Sequence, residues 1–248
     1  MKFKFLRPIV FVSAIGAAFL LSSCSSRFFK AAPSELSGFL EAQPVLTNER
    51  KKTPFLLSGG TLVAPVKGIY IAPISLEYLN EESKALAKLE GSDEGREAAA
   101  RELANYGQRK FVEAFKKSRR PRYVLLATPD QDCLVLEMAI TDLHRNSISG
   151  SLLRLVLHPV VEPLLTKPTP GLKGNVAIEG KLRNAKTGEV VFQFADTEES
   201  TSLVVPIKDF IPYGQAREAF RSWARQFEKL TRVAPGKRVW DTRVIGLF

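Results

Sequence analysis

Apolar residues recur with two different periods along the chain. Between Cys133 and Leu143, Leu134, Leu136, Met138 and Ile140 alternate with Cys133, Val135, Glu137, Ala139 and Thr141, the period of a strand with one strongly apolar face. Gly174–Arg183 and Glu189–Ala195 read as a hairpin. Val176, Ile178, Gly180 and Leu182 point one way, Ala177, Glu179, Lys181 and Arg183 the other, and NAKTG at Asn184–Gly188 supplies the turn. Gly68–Ile74 and Tyr123–Thr128 read as further strands. A helical period governs two long stretches. In Glu94–Ser118, Ala100, Leu103, Ala104, Gly107, Phe111, Ala114 and Phe115 form one stripe. In Tyr213–Arg232, Ala216, Ala219, Phe220, Trp223, Ala224, Phe227 and Leu230 form another, against a wet face of Arg217, Arg221, Arg225, Glu228 and Lys229. A shorter charged helix is expected over Leu76–Leu89, and an edge strand in the tail through Val239 and Trp240.

The order is β-α-α-β-β-β-β-α. It implies an α+β fold, a mostly antiparallel sheet with its helices packed on one face. Ile148–Leu165, ISGSLLRLVLHPVVEPLL, does not fit this meander. Two readings stay open: a segment covering the protein's own sheet, or an apolar interaction surface through Leu152, Leu153, Leu155, Val156, Leu157, Val160 and Leu164. Pro159 and Pro163 argue against one continuous helix there.

The N-terminus fixes the expected address. Lys2, Lys4 and Arg7 precede an uncharged stretch, Pro8–Leu21. As a helix it would reach about 21 Å, short of a hydrocarbon core of roughly 30 Å, so it reads as a signal peptide. Leu21-Ser22-Ser23-Cys24 resembles a bacterial lipobox, which implies removal of residues 1–23 and acylation of Cys24. Ser25 after the Cys implies export to the outer membrane. Residues 24–37 then read as the acylated Cys and a tether, and 38–248 as one α+β domain.

Composition changes little in this picture. A hydrophobic share of 45% with 25% charged residues excludes collagen, coiled coil and wholesale disorder. With Cys24 acylated, Cys133 is the one thiol left, so the core must supply the stability without a disulfide. The net charge of +10 falls by three with the signal peptide. A basic domain invites a nucleic-acid reading, which the envelope address opposes; anionic lipid, peptidoglycan carboxylates or an acidic partner fit equally well. The densest basic cluster, KKSRRPR at Lys116–Arg122, reads either as cations at a helix C-terminus or as a binding patch.

Catalytic patterns are missing. There is no phosphate loop, HExxH, CxxC or GxSxG, and His144 and His158 have no third ligand placed by spacing. Asp130 and Asp132 in PDQD could hold a cation or do acid–base work, and equally serve a turn. Neither a cofactor nor a metal is expected. Glu179 lies on the polar face of the hairpin, where a cross-strand cation would make an exposed pair contributing under about 1 kcal/mol.

SGFL at Ser37–Leu40, the lipobox, and GNVAIEGKLRNAKTGEVVFQFAD at Gly174–Asp196 together resemble an uncharacterised bacterial lipoprotein family, domain-of-unknown-function family 3313. Glu179 and Thr187-Gly188-Glu189 carry the most specific part of the match; Asn184 stands where members often have Asp. The resemblance implies no catalytic residue. The element order is also similar to envelope lipoproteins that assist lipid transport and curli secretion, an analogy at fold level. The expected function is therefore a non-enzymatic, lipid-anchored accessory at the outer membrane, facing the periplasm. It would bind the membrane through its lipid and a protein or lipid partner, a second copy included. The alternative is an envelope hydrolase acting on peptidoglycan or lipid.

Overall fold

The computed structural model describes residues 28–30, 36–48, 53–62, 64–80, 93–144, 175–200, 213–234 and 237–239. Their elements are β1 (Phe28–Lys30), β2 (Leu57–Gly60), β3 (Gly68–Ile71), α1 (Asp93–Lys116), β4 (Val124–Leu126), β5 (Cys133–His144), β6 (Asn175–Asn184), β7 (Val190–Ser200) and α2 (Gly214–Arg232). The strands form one sheet in the order β1-β7-β6-β5-β3-β4, and β2 pairs with β7 on the same edge as β1.

The class is α+β. The sheet, expected to be mostly antiparallel, is mixed: β3 runs parallel to both β4 and β5. The cause is the α1 excursion. A helix between two strands returns the chain to the end of the sheet where it began, so β4 enters beside β3 in the same direction.

The two stripes read from the sequence make the core. Leu134, Leu136, Met138 and Ile140 of β5 are buried beside Ile69 and Ile71 of β3 and Ile178 and Leu182 of β6. Both helices cover this face, α1 through Leu103, Phe111 and Phe115 and α2 through Phe220, Trp223 and Phe227. Phe227 sits at the centre, its ring 5.5–6.4 Å from those of Phe55, Phe111, Phe115 and Phe194. Each fully buried side chain of this size contributes about 1.5–3 kcal/mol. Polar groups are buried as well, Asp196, Ser222 and Gln226 among them. Asp196 of β7 accepts hydrogen bonds from Trp223 Nε1 at 2.8 Å and from the Leu56 N–H at 3.2 Å.

The hairpin turn forms as its residues require. Gly188 has φ +73°, and the Asn184 side chain accepts the N–H groups of Lys186 at 2.9 Å and Thr187 at 3.3 Å. The second strand runs on past Ala195 to Ser200, because its outer residues pair with β1 and β6. Leu76–Asn80 is a turn rather than the start of a helix, and 81–92 lies outside the described residues. Val239 is buried but in no strand, and Trp240 lies outside the described residues.

Candidate functional site: a strap across the polar face of the sheet

The face of the sheet opposite the helices carries Glu137 of β5, Glu179, Lys181 and Arg183 of β6, and Gln193 of β7. Alternation alone marks such positions as wet. Residues 37–44 cross them instead. Ser37 gives its backbone N–H and its hydroxyl to the Glu179 carboxylate, both at 2.8 Å. Lys181 Nζ donates to the Phe39 carbonyl at 3.0 Å and lies 4.5 Å from the Phe39 ring centre. The Arg183 guanidinium pairs with Glu41 and, at 3.2 Å, with Glu137. Gln193 accepts the Glu41 N–H at 3.1 Å and donates to the Glu41 carbonyl at 2.8 Å and to the Pro44 carbonyl. The spacing is regular: residues 37, 39 and 41 meet residues 179, 181 and 183, each pair 142 apart. The strap thus runs along β6 in the same sense, with the strand's own period of two.

Burial and charge follow. Glu179 is only 3% exposed, and directly across from it stand Ala139 and Ala195, so the exposed cross-strand pair expected for it does not exist. Its partner is a serine on the strap. Phe39 is buried too, edge-on to Tyr78 at 5.1 Å. The Arg183 hydrogen bond holds the Glu41 carboxyl below its ordinary value. Burial pulls the Arg183 guanidinium down, but its bonds to Glu41 and Glu137 outweigh that and raise it. These ion pairs are partly wet, so each contributes modestly; the buried Glu179 and Gln193 bonds hold the strap more firmly, because leaving such groups unpaired costs about 1–3 kcal/mol.

The tether expected over 24–37 is fixed to the sheet at two places. Phe28–Lys30 pairs antiparallel with Glu198–Ser200, and Ser37 is held by Glu179. Cys24 and the whole run from Leu152 to Leu164 lie outside the described residues. So does His158, while His144 closes β5 opposite Asn175. Asp130 and Asp132 occupy the turn before β5, where the Asp130 carboxylate accepts the Gln131 N–H. Cys133 is buried and its thiol donates to the Asp130 carbonyl at 2.8 Å. Among the described residues, no group of three or more His, Cys, Asp or Glu could hold a metal ion, and no helix is long and apolar enough to cross a membrane.

A family model described as a protein of unknown function, DUF3313, matches residues 35–227. The chain belongs to the DUF3313 family. The match opens just before the strap and closes within α2, so the strap and the β6 residues that hold it both lie inside the family's domain. No curated protein matches the chain. Two similar solved structures are PelC dodecamers from Paraburkholderia phytofirmans. One carries a Leu-to-Met substitution and is 9% identical with a TM-score of 0.38, over 71% of this chain and 96% of that one. The other is 10% identical with a TM-score of 0.35, over 68% and 92%.

Ser37 and Glu179 were both visible in the sequence as separate motif pieces. No local signal connects them, since a contact across 142 residues leaves no period.

Proposed function

We propose that this DUF3313 protein is a non-enzymatic lipoprotein of the outer membrane, acylated at Cys24 and facing the periplasm. It works as an assembly or transport accessory that binds a protein or lipid partner. The observation that supports this reading most is the short distance between lipobox and sheet. Three residues separate Cys24 from Phe28, where pairing with β7 begins. Such a link spans at most about 14 Å. An acyl anchor at Cys24 would hold the domain close against the bilayer rather than on a long leash. The strap extends the same logic: a pull on the anchor would be carried into β6 and β7 through Glu179, Lys181, Arg183 and Gln193.

The apolar run 148–165 is the proposed partner surface in this reading. A second copy of the chain is among the partners it admits, and sedimentation of the purified protein separates a monomer from an assembly. The test is Cys24→Ser, followed by cell fractionation and co-purification. The expected result is release from the membrane fraction and loss of the co-purifying partner, with the folded domain retained. Unchanged membrane association would overturn the proposal.

A further inference from the structure

The outer surface of the helix pair carries a groove of about 610 Å³ between the C-terminal halves of α1 and α2. Among the described residues, seven cationic and two acidic side chains line it, and Ala114 is the one apolar lining residue. Both carboxylates are engaged: Glu113 by Lys110 and Lys117, Glu228 by Arg232 at 2.7 Å. Arg119, Arg225 and Lys229 are exposed and have no carboxylate partner among the described residues. The Ser118 hydroxyl, on a residue that lines the groove, has no hydrogen-bond partner among the described residues.

The cations are ordered. Arg217, Arg221, Arg225 and Lys229 follow one another at four-residue steps on α2, which places them about 6 Å apart along the helix axis. The first two are fixed. Arg217 pairs with Glu102 at 2.6 Å and lies over the Tyr106 ring at 4.8 Å. Arg221 donates to the Tyr106 hydroxyl at 2.6 Å and to Glu218 at 2.8 Å. The row therefore ends in two cations, Arg225 and Lys229, that have no partner among the described residues, with Arg119 beyond the end of α1 on the same groove.

We propose that this groove binds an acidic segment of a partner protein, with carboxylates at helical four-residue spacing. Three observations select that occupant. The groove is walled by two helices, from Lys110 to Arg119 on one side and from Arg221 to Arg232 on the other, a shape that suits a rod-like segment. Its lining side chains are mostly charged, and an acyl chain would leave their head groups unsatisfied. It also lies at the wrong end for the anchoring bilayer: α1 delivers its C-terminus to the start of β4, whereas β1 pairs with Ser200 at the opposite end of the sheet. Strand length separates those ends by on the order of 30 Å. This last argument rests on the Cys24 anchor proposed above; the charge and shape of the groove do not. Arg225 and Lys229, about 6 Å apart along the axis, match Glu side chains at i and i+4 of an opposing helix, and Arg forks bind carboxylates in two-point fashion.

The test is calorimetric titration of the purified full chain, in mild detergent, with poly-L-glutamate and separately with polyphosphate. Expected is saturable binding of poly-L-glutamate that weakens as salt rises. Arg225→Glu with Lys229→Glu should weaken it at least about tenfold, while Lys186→Glu in the distant hairpin turn should leave it unchanged. If the double reversal disturbs folding, Arg225→Gln with Lys229→Gln should still show a loss of severalfold. No binding of poly-L-glutamate overturns the proposal. So does an equal loss in Lys186→Glu, which would reflect bulk charge. Polyphosphate binding tenfold tighter than poly-L-glutamate also overturns it, in favour of a phosphate-bearing lipid or glycan. The titration needs no acyl anchor, so a negative result leaves the Cys24 reading untouched.

Discussion

Ser37 closes both of its donors on the Glu179 carboxylate, joining the start of the family domain to the middle of the sheet. Glu179 is buried, so removing it strands the Ser37 N–H beneath the strap. Glu179→Ala should cost about 2 kcal/mol of unfolding free energy in a urea titration. Ser37→Ala should cost less, because the backbone donor stays. The double variant should fall short of the sum by at least about 0.5 kcal/mol, the mark of two residues acting on each other. Strictly additive losses would show that the pair does not hold the strap.

Glu41 sets a pH signature for the same strap. Its carboxyl lies below 4.5 in the folded chain because Arg183 bonds it, and returns to 4.5 when the chain unfolds. The unfolded chain thus takes up a proton first as pH falls. The contribution is fully present above pH 4.5 and is lost as pH drops through the lowered folded value. Glu41→Gln should therefore flatten the acid limb of stability below pH 4.5 and change little at pH 7 relative to pH 5. An acid limb of unchanged slope in the variant would contradict the Arg183 pairing.

A second carboxylate offers a check on the helix surface. Hydrogen bonds from Lys110 and then Lys117 pull Glu113 down to about 2. Its carboxyl resonance should titrate near that value at low salt and move toward 4.5 in Lys110→Ala with Lys117→Ala. A midpoint near 4.5 in the unaltered chain would remove the ion-pair cluster from the groove wall.

Gly180 is the one position in the middle of β6 where a side chain cannot fit. A Cβ there would come within 2.3 Å of the Phe194 ring. That ring cannot retreat, because it stacks on Phe55 at 4.3 Å and meets Phe227 at 5.5 Å. Gly180→Ala should destabilise by about 1–3 kcal/mol, and Phe194→Leu in the same chain should recover part of the loss. Thermal melts of the three variants decide it; a neutral Gly180→Ala would mean that the core is looser than these distances.

The helices and the hairpin were legible in the sequence because their residues serve one face each. All seven apolar positions expected on α2, from Ala216 to Leu230, are buried, and Gly188 takes the positive φ that its turn demands. Periodicity says nothing of strand direction, so the parallel β3 was hidden. It also treats the second face of a strand as solvent by default. That is why Glu179 read as exposed: the strap that covers it comes from 142 residues away. LSGG in β2 is too glycine-rich to announce a strand, and Arg225 and Lys229 read only as the wet side of a helix.

For Leu155 and Leu157, in the run proposed to meet a partner, charge separates the two readings. Leu155→Asp with Leu157→Asp should leave the melting curve of the full chain nearly intact and abolish co-purification of the partner. Unfolding would place the run in the protein's own core, since a buried unpaired carboxylate is costly.

A lipid at Cys24 decides where the domain works, and the intact mass of the protein extracted from cell membranes reads it out. Expected is a chain that begins at Cys24, lacks residues 1–23, and exceeds the bare polypeptide by the mass of two or three acyl chains with their glycerol. A chain carrying a free Cys24 thiol, or one that starts at any other residue, would contradict it.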